Sequence, residues 1–299
     1  MNSALSDPPL PGTAVEWSGA AHRQTKWDWR AVANFIGGGT GAGLLLVAVL
    51  AAPSALAFRI QFGLGLAVIA LGLLCIMAKL GRPGRALNIF RHAETSWMTR
   101  ESLAMPTLFA GGLIALWQGS VGIMAWVAVL SALFFLYCQA RILSDAKGIP
   151  AWSAPALVPL LLASGLAEGF GLAALVAPLV GGVMPPLAGL LLAALVLRLA
   201  TWRRYRRSLA SVGAPTESRK VLDELHGNFV VSGHGLPLVL LVLALLLGEP
   251  ATTGLTATAG LFAALAGWAF KFILVTRAGF FFQKSFSLSA AMALGKKRG

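Results

Sequence analysis

The chain has 299 residues, 57% of them hydrophobic and only 12% charged, with a net charge of +13. So little polar surface cannot clothe a soluble globule of this length, and the sequence reads as an integral membrane protein. The positive balance does not mark a nucleic-acid binder, because the Lys and Arg lie in the gaps between apolar runs. The two cysteines, Cys75 and Cys138, each sit inside an apolar run, which gives neither a cluster-ligand set nor a disulfide framework.

In chain order, residues 1–30, with Pro8, Pro9, Pro11, Glu16 and Asp28, lack the apolar core of a signal peptide and are expected to form an uncleaved cytoplasmic tail. Apolar runs then follow near 31–51, 60–79, 102–118, 121–140, 154–178, 183–201, 229–248 and 254–276. Each approaches the ~20 residues that cross a hydrocarbon core. The expected fold is therefore all-α, an eight-helix transmembrane domain over 31–280, closed by a cytoplasmic tail over 281–299. The third run is the shortest, and Gln118, Gly119 and Ser120 leave room only for a tight hairpin to the fourth.

The first run holds Gly37, Gly38, Gly39, Gly41 and Gly43. Small residues four apart let two membrane helices approach closely. The same GGGTGAG string lacks the preceding strand and the Lys-Ser/Thr ending of a phosphate-binding loop, so helix packing is the expected role.

With eight spans, one side receives both termini and the even connections. That side holds Arg23, Lys26, Arg30, Arg141, Lys147, Arg203, Arg204, Arg206, Arg207, Arg219, Lys220, Lys284, Lys296, Lys297 and Arg298, against essentially Arg59 on the other. Such asymmetry puts the N and C termini in the cytoplasm. Aromatic residues gather at the same boundary: Trp27, Trp29, Trp97, Trp152, Trp202 and Tyr205 read as an interfacial belt, with Trp97 also a candidate to line a site.

An ionisable group within a span is costly and marks a functional candidate. Asn34 lies about one turn into the first span, Lys79 closes the second, Glu101 opens the third, and His234 is roughly 8 Å into the seventh. Lys271 and Arg277 lie toward the cytoplasmic end of the eighth. Together these groups outline one slab in the cytoplasmic leaflet, suited to the polar head of an amphipathic molecule. For Lys79, Lys271 and Arg277 the plainer reading is snorkelling to the headgroups. Glu168 falls deeper, toward the outer leaflet, and is expected to be neutral and hydrogen-bonded between helices. Of the histidines His22, His92, His226 and His234 only the last lies well within a span, so no haem held by paired histidines is expected. No metal site is expected on this chain.

The second connection, KLGRPGRALNIFRHAETSWMTRE over 79–101, is the most polar island between spans, with Arg82, Arg85, Arg91 and Arg100 beside Lys79 and Glu101. Its KLGRPGRALNIF and SWMTRE segments resemble the membrane anchor subunit of dimethyl sulfoxide reductase and its relatives, the polysulfide-reductase-like quinone-reactive anchors. The matching positions are Leu80, Gly81, Pro83, Arg85 and Glu101. Outside this loop the likeness is mainly one of hydropathy. QTKWDWRAVANFIGGGTGAG also looks like the membrane subunits of phenylacetyl-CoA:acceptor oxidoreductases, a branch of the same superfamily.

The resemblance implies a haem-free anchor in the inner membrane that exchanges electrons with menaquinone or ubiquinone. An iron-sulfur subunit and a molybdenum catalytic subunit, carrying the clusters and the molybdenum cofactor, would dock on its cytoplasmic face. It implies that Glu101 is the proton-handling catalytic group, with Lys79 and Arg85 at the quinone; by depth and position Asn34, His234 and Trp97 are expected beside them. Partner docking falls to Arg82, Arg91, Arg100, Arg203, Arg204, Arg206 and Arg207. The family has a histidine immediately before the Leu-Gly pair where this chain has Lys79, a donor to a carbonyl but a poorer proton relay near neutral pH. Two other classes compete. A transporter needs polar groups through the whole membrane thickness, and a di-haem cytochrome b would declare itself in an absorbance spectrum.

Overall fold

The structure, a computed structural model, describes residues 20–79, 96–146, 148–182 and 185–282. Helices make up nearly all of it: α1 (Trp29–Ala51), α2 (Ala55–Met77), α3 (Trp97–Gln118), α4 (Ile123–Ser144), α5 (Leu157–Val176), α6 (Pro185–Ser211), α7 (Thr216–Val230), α8 (Leu236–Leu247) and α9 (Ala251–Thr276). A π-helical segment, Val231–Gly235, joins α7 to α8 in one continuous rod of 32 residues. The fold is all-α, and among the described residues 7 helices are long and apolar enough to cross a membrane, so the chain is a multi-pass membrane protein. Helix α3 is not among them; Thr99, Arg100, Glu101 and Ser102 make its first turns polar.

The helix ends follow local chemistry. Asp28 caps α1, its Oδ1 accepting from Arg30 N at 3.1 Å, and Ser54 and Ser96 cap α2 and α3 in the same way. The expected hairpin forms where α3 stops at Gly119, whose φ of +67° suits glycine, and α4 starts at Ile123.

Helix α1 is the centre of the bundle, packed against α2, α4, α5 and α9. Its glycines explain how. A Cβ on Gly37 would stand 2.7 Å from Val68 O on α2, and one on Gly43 would stand 2.7 Å from Gly165 O on α5. Backbones this close gain dispersion that lipid cannot replace. The glycine-rich string is thus a two-sided packing surface.

Residues 21–28, expected in a tail, belong to the folded body. Strand β1 (Ala21–Arg23) pairs antiparallel with β2 (Phe280–Phe282), and Gln24 Nε2 donates to Trp27 O at 2.9 Å and to Val275 O at 2.7 Å. The clip holds both ends of the helical body on one side. Beneath it lies an aromatic core that overturns the belt reading for three residues: Trp152, Trp202 and Tyr205 are fully buried. Each meets a polar partner inside the protein, Trp152 Nε1 on Leu274 O, Trp202 Nε1 on His226 Nδ1 and Tyr205 OH on Ala151 O. An indole or phenol so satisfied gains nothing from the headgroup region.

Candidate functional site

The polar groups that the sequence places in one slab separate into three clusters. The first surrounds Glu101, one turn after Trp97 on α3 and buried. Asn34 Nδ2 of α1 lies 3.5 Å from Glu101 Oε1, and the Gln139 amide of α4 lies beside the same carboxyl group. Gln139 Nε2 also donates to Asn34 O at 2.9 Å, tying α4 to α1. Two acceptors here have no donor among the described residues: Asn34 Oδ1 and Gln139 Oε1. Orphaned acceptors in a buried cluster are costly; a ligand with two hydroxyl groups would satisfy both, and a proton on the carboxyl group one of them.

Trp97 forms the outer edge of this cluster. Its ring lies between the guanidinium groups of Arg100 and Arg141, 4.3 Å and 5.1 Å from the ring centroid, and its Nε1 donates to Asp145 Oδ2 at 2.7 Å. Lys79 faces the start of α1, where Nζ donates to Lys26 O and lies 3.7 Å from Asp28 Oδ1. Arg82, Arg85 and Arg91 lie outside the described residues.

The second cluster is fully buried and joins α1, α5 and α9. Glu168 Oε2 accepts from Lys271 Nζ at 2.8 Å and from Thr40 Oγ1 at 2.9 Å, while Oε1 accepts from Ser164 Oγ at 2.9 Å. Lys271 Nζ also donates to Phe35 O at 3.1 Å, and Trp268 Nε1 donates to Thr40 Oγ1 at 2.9 Å. This corrects two expectations. Lys271 does not snorkel; it is 1% exposed and points inward. Glu168 is hydrogen-bonded between helices as expected, but in an ion pair. Because α5 starts at Leu157, Glu168 is about 16 Å along the helix, near mid-membrane, and Lys271 reaches it from about 8 Å inside the end of α9.

The third cluster holds His234, on the π segment. Pro237 has no N–H to offer Gly233 O, and Arg198 Nη2 of α6 takes that carbonyl at 2.7 Å. Arg198 Nη1 donates to Ala263 O at 2.8 Å and its Nε to His234 Nε2 at 3.1 Å. The other ring nitrogen, Nδ1, lies 2.7 Å from Phe229 O and must donate there, which fixes a neutral ring. Helix α3 packs on α4 and α2, whereas the π segment packs on α6, α7, α8 and α9, so His234 is not brought to Glu101.

Sequence reasoning missed Gln139 and Arg198. Both signals were present: a glutamine near the end of the apolar run 121–140, and an arginine inside the run 183–201. The last sequence-marked group, Arg203, Arg206 and Arg207, lines a pocket with His226, while Arg204 is exposed outside it.

No family model and no curated protein matches this chain. Function therefore rests on the clusters themselves.

Proposed function

We propose that the chain is the quinone-reactive membrane anchor of an oxidoreductase complex, with the quinone head at the Glu101 cluster. One observation carries the reading: a buried carboxyl group set beside two amides whose Oδ1 and Oε1 lack donors among the described residues. A quinol offers two hydroxyl donors, and reducing its quinone consumes two protons that a carboxyl group can relay. The resemblance of the loop around Leu80, Gly81, Pro83 and Arg85 supports the same assignment. Trp97 would flank the ring, and Asn34 and Gln139 would hold its oxygen.

Eight crossings with cytoplasmic termini complete the reading. The β1–β2 clip supports an even number of crossings, because both ends of the body lie on one side, and α3 with its hairpin supplies the eighth. The Lys and Arg asymmetry supports the orientation in a bacterial inner membrane. An iron-sulfur subunit docked on the basic cytoplasmic face would pass electrons to the quinone, with a molybdenum subunit beyond it; Arg100 and Arg204 are exposed-side candidates for that contact. The test is purification of the chain from its own membrane in a mild detergent. Expected are co-purifying iron and molybdenum and extractable quinone. A chain that emerges alone, with a bis-histidine haem spectrum, overturns the proposal.

A further inference from the structure

Where α6 and α7 leave the bundle core, Arg203, Arg206, Arg207 and His226 line an open surface pocket of about 400 Å³. The three arginines share one face of α6, spaced three and four residues apart, so their like charges repel. Only Arg206 is neutralised, by an ion pair with Asp223 of α7. Among the described residues the guanidinium groups of Arg203 and Arg207 have no hydrogen-bond or ion-pair partner. His226 adds a donor. Its Nδ1 accepts from Trp202 Nε1 at 3.0 Å, which leaves the proton of the neutral ring on Nε2.

A site lined by three guanidinium groups and a ring N–H, with one carboxylate, Asp223, set against Arg206 and two guanidinium groups unpaired among the described residues, calls for a compact polyoxygen anion. The planar fork of arginine fits phosphate oxygens in particular. The height of the pocket points to the source. Arg203 lies 18 residues into α6, or ~27 Å along the axis, close to the ~30 Å of a hydrocarbon core. On the same face, two turns before Arg203, Val196 is 51% exposed, an apolar surface for an acyl chain.

We propose that this pocket binds the phosphate of an anionic phospholipid, with the acyl chain lying along α6 beside Val196. The site is independent of the quinone reading, and it separates these three arginines from Arg204. Basic pockets between membrane helices recognise acidic headgroups in this way.

The test is native mass spectrometry of the purified full-length chain in a neutral detergent, with added cardiolipin, phosphatidylcholine or inorganic phosphate. Cardiolipin is expected to be retained and phosphatidylcholine not, and millimolar inorganic phosphate should not displace the lipid. The double variant Arg203→Gln/Arg207→Gln should retain cardiolipin at least about tenfold more weakly. Arg204→Gln, outside the pocket, should retain it as the parent chain does. An unchanged thermal midpoint in the double variant shows that the fold is intact. Equal retention by parent and double variant overturns the proposal, as does retention of phosphatidylcholine equal to that of cardiolipin. Binding of inorganic phosphate that excludes the lipid overturns the lipid source.

Discussion

Two buried carboxyl groups sit in this bundle in opposite states of completion. Glu168 accepts three hydrogen bonds, from Lys271, Thr40 and Ser164. Both of its oxygens are met. Among the described residues Glu101 meets the Asn34 amide at 3.5 Å, and Asn34 Oδ1 and Gln139 Oε1 find no donor. The ion pair holds helices together; the acceptors beside Glu101, unmet among the described residues, are the proposed partners of a ligand. The difference teaches that burial of a charge does not by itself identify a site in a membrane protein; a buried carboxyl group with unmet acceptors beside it is the stronger lead.

The largest expected effect breaks the Glu168 cluster. Lys271→Met leaves the Glu168 carboxylate buried without its cation, a loss of about 3–5 kcal/mol of stability. The double variant Lys271→Met/Glu168→Gln should regain most of it, since the buried charge is gone. Unfolding of both variants in detergent, followed by tryptophan fluorescence, measures the difference. If the single variant is as stable as the parent chain, the pair does not brace α5 and α9.

A smaller loss is expected from Gly43→Ala. The new Cβ would stand 2.7 Å from Gly165 O and 2.9 Å from Gly169 Cα, forcing α1 away from α5 and stretching the Thr40–Glu168 hydrogen bond. The cost is expected at about 1–3 kcal/mol, read from the same unfolding curve. Gly189→Ala on α6, where a Cβ meets nothing within 4 Å, is the matched control and should be neutral.

At the Glu101 cluster the ranking reverses, with stability barely touched. Gln139→Leu removes an orphaned acceptor together with the bond to Asn34 O, so the two changes nearly offset and the shift should stay within about 1 kcal/mol. Affinity for quinone should nonetheless fall, measured as a rise in the quinone KM of the complex. The smallest effect is expected from Lys79→Ala. Its ion pair with Asp28 spans 3.7 Å and is about a third exposed, which contributes little. A rise in quinone KM without a fall in kcat would give Lys79 a binding role at the ring. No change in either would assign it to the start of α1.

The helices were legible because apolar runs and their breaks write themselves into composition. The Gly119 hairpin and the Gly37–Gly43 packing surface could be read from spacing alone. The partners of the polar groups could not. Depth along each helix placed Glu168 and Lys271 in different leaflets, since counting residues ignores the reach of a lysine stem across a third of the membrane. Trp152, Trp202 and Tyr205 looked interfacial because sequence position fixes height and says nothing of which way a side chain faces. Asn34 and Glu101 were named for depth and do meet, but Gln139, which joins them, carries no charge and escaped notice. The β1–β2 clip left no signal either: AHR and FFF are too short to show a period.

The central claim, that the cluster at Glu101 receives the quinone, is tested most directly by Glu101→Gln in the assembled complex, assayed with two acceptors. Glutamine keeps the shape and one acceptor oxygen for Asn34 Nδ2 but cannot carry a proton. Turnover with a soluble artificial acceptor should equal that of the parent complex, while turnover with quinone should fall at least about tenfold, or ~1.4 kcal/mol in the barrier. Undiminished turnover with quinone, or an equal loss with both acceptors, would contradict the account.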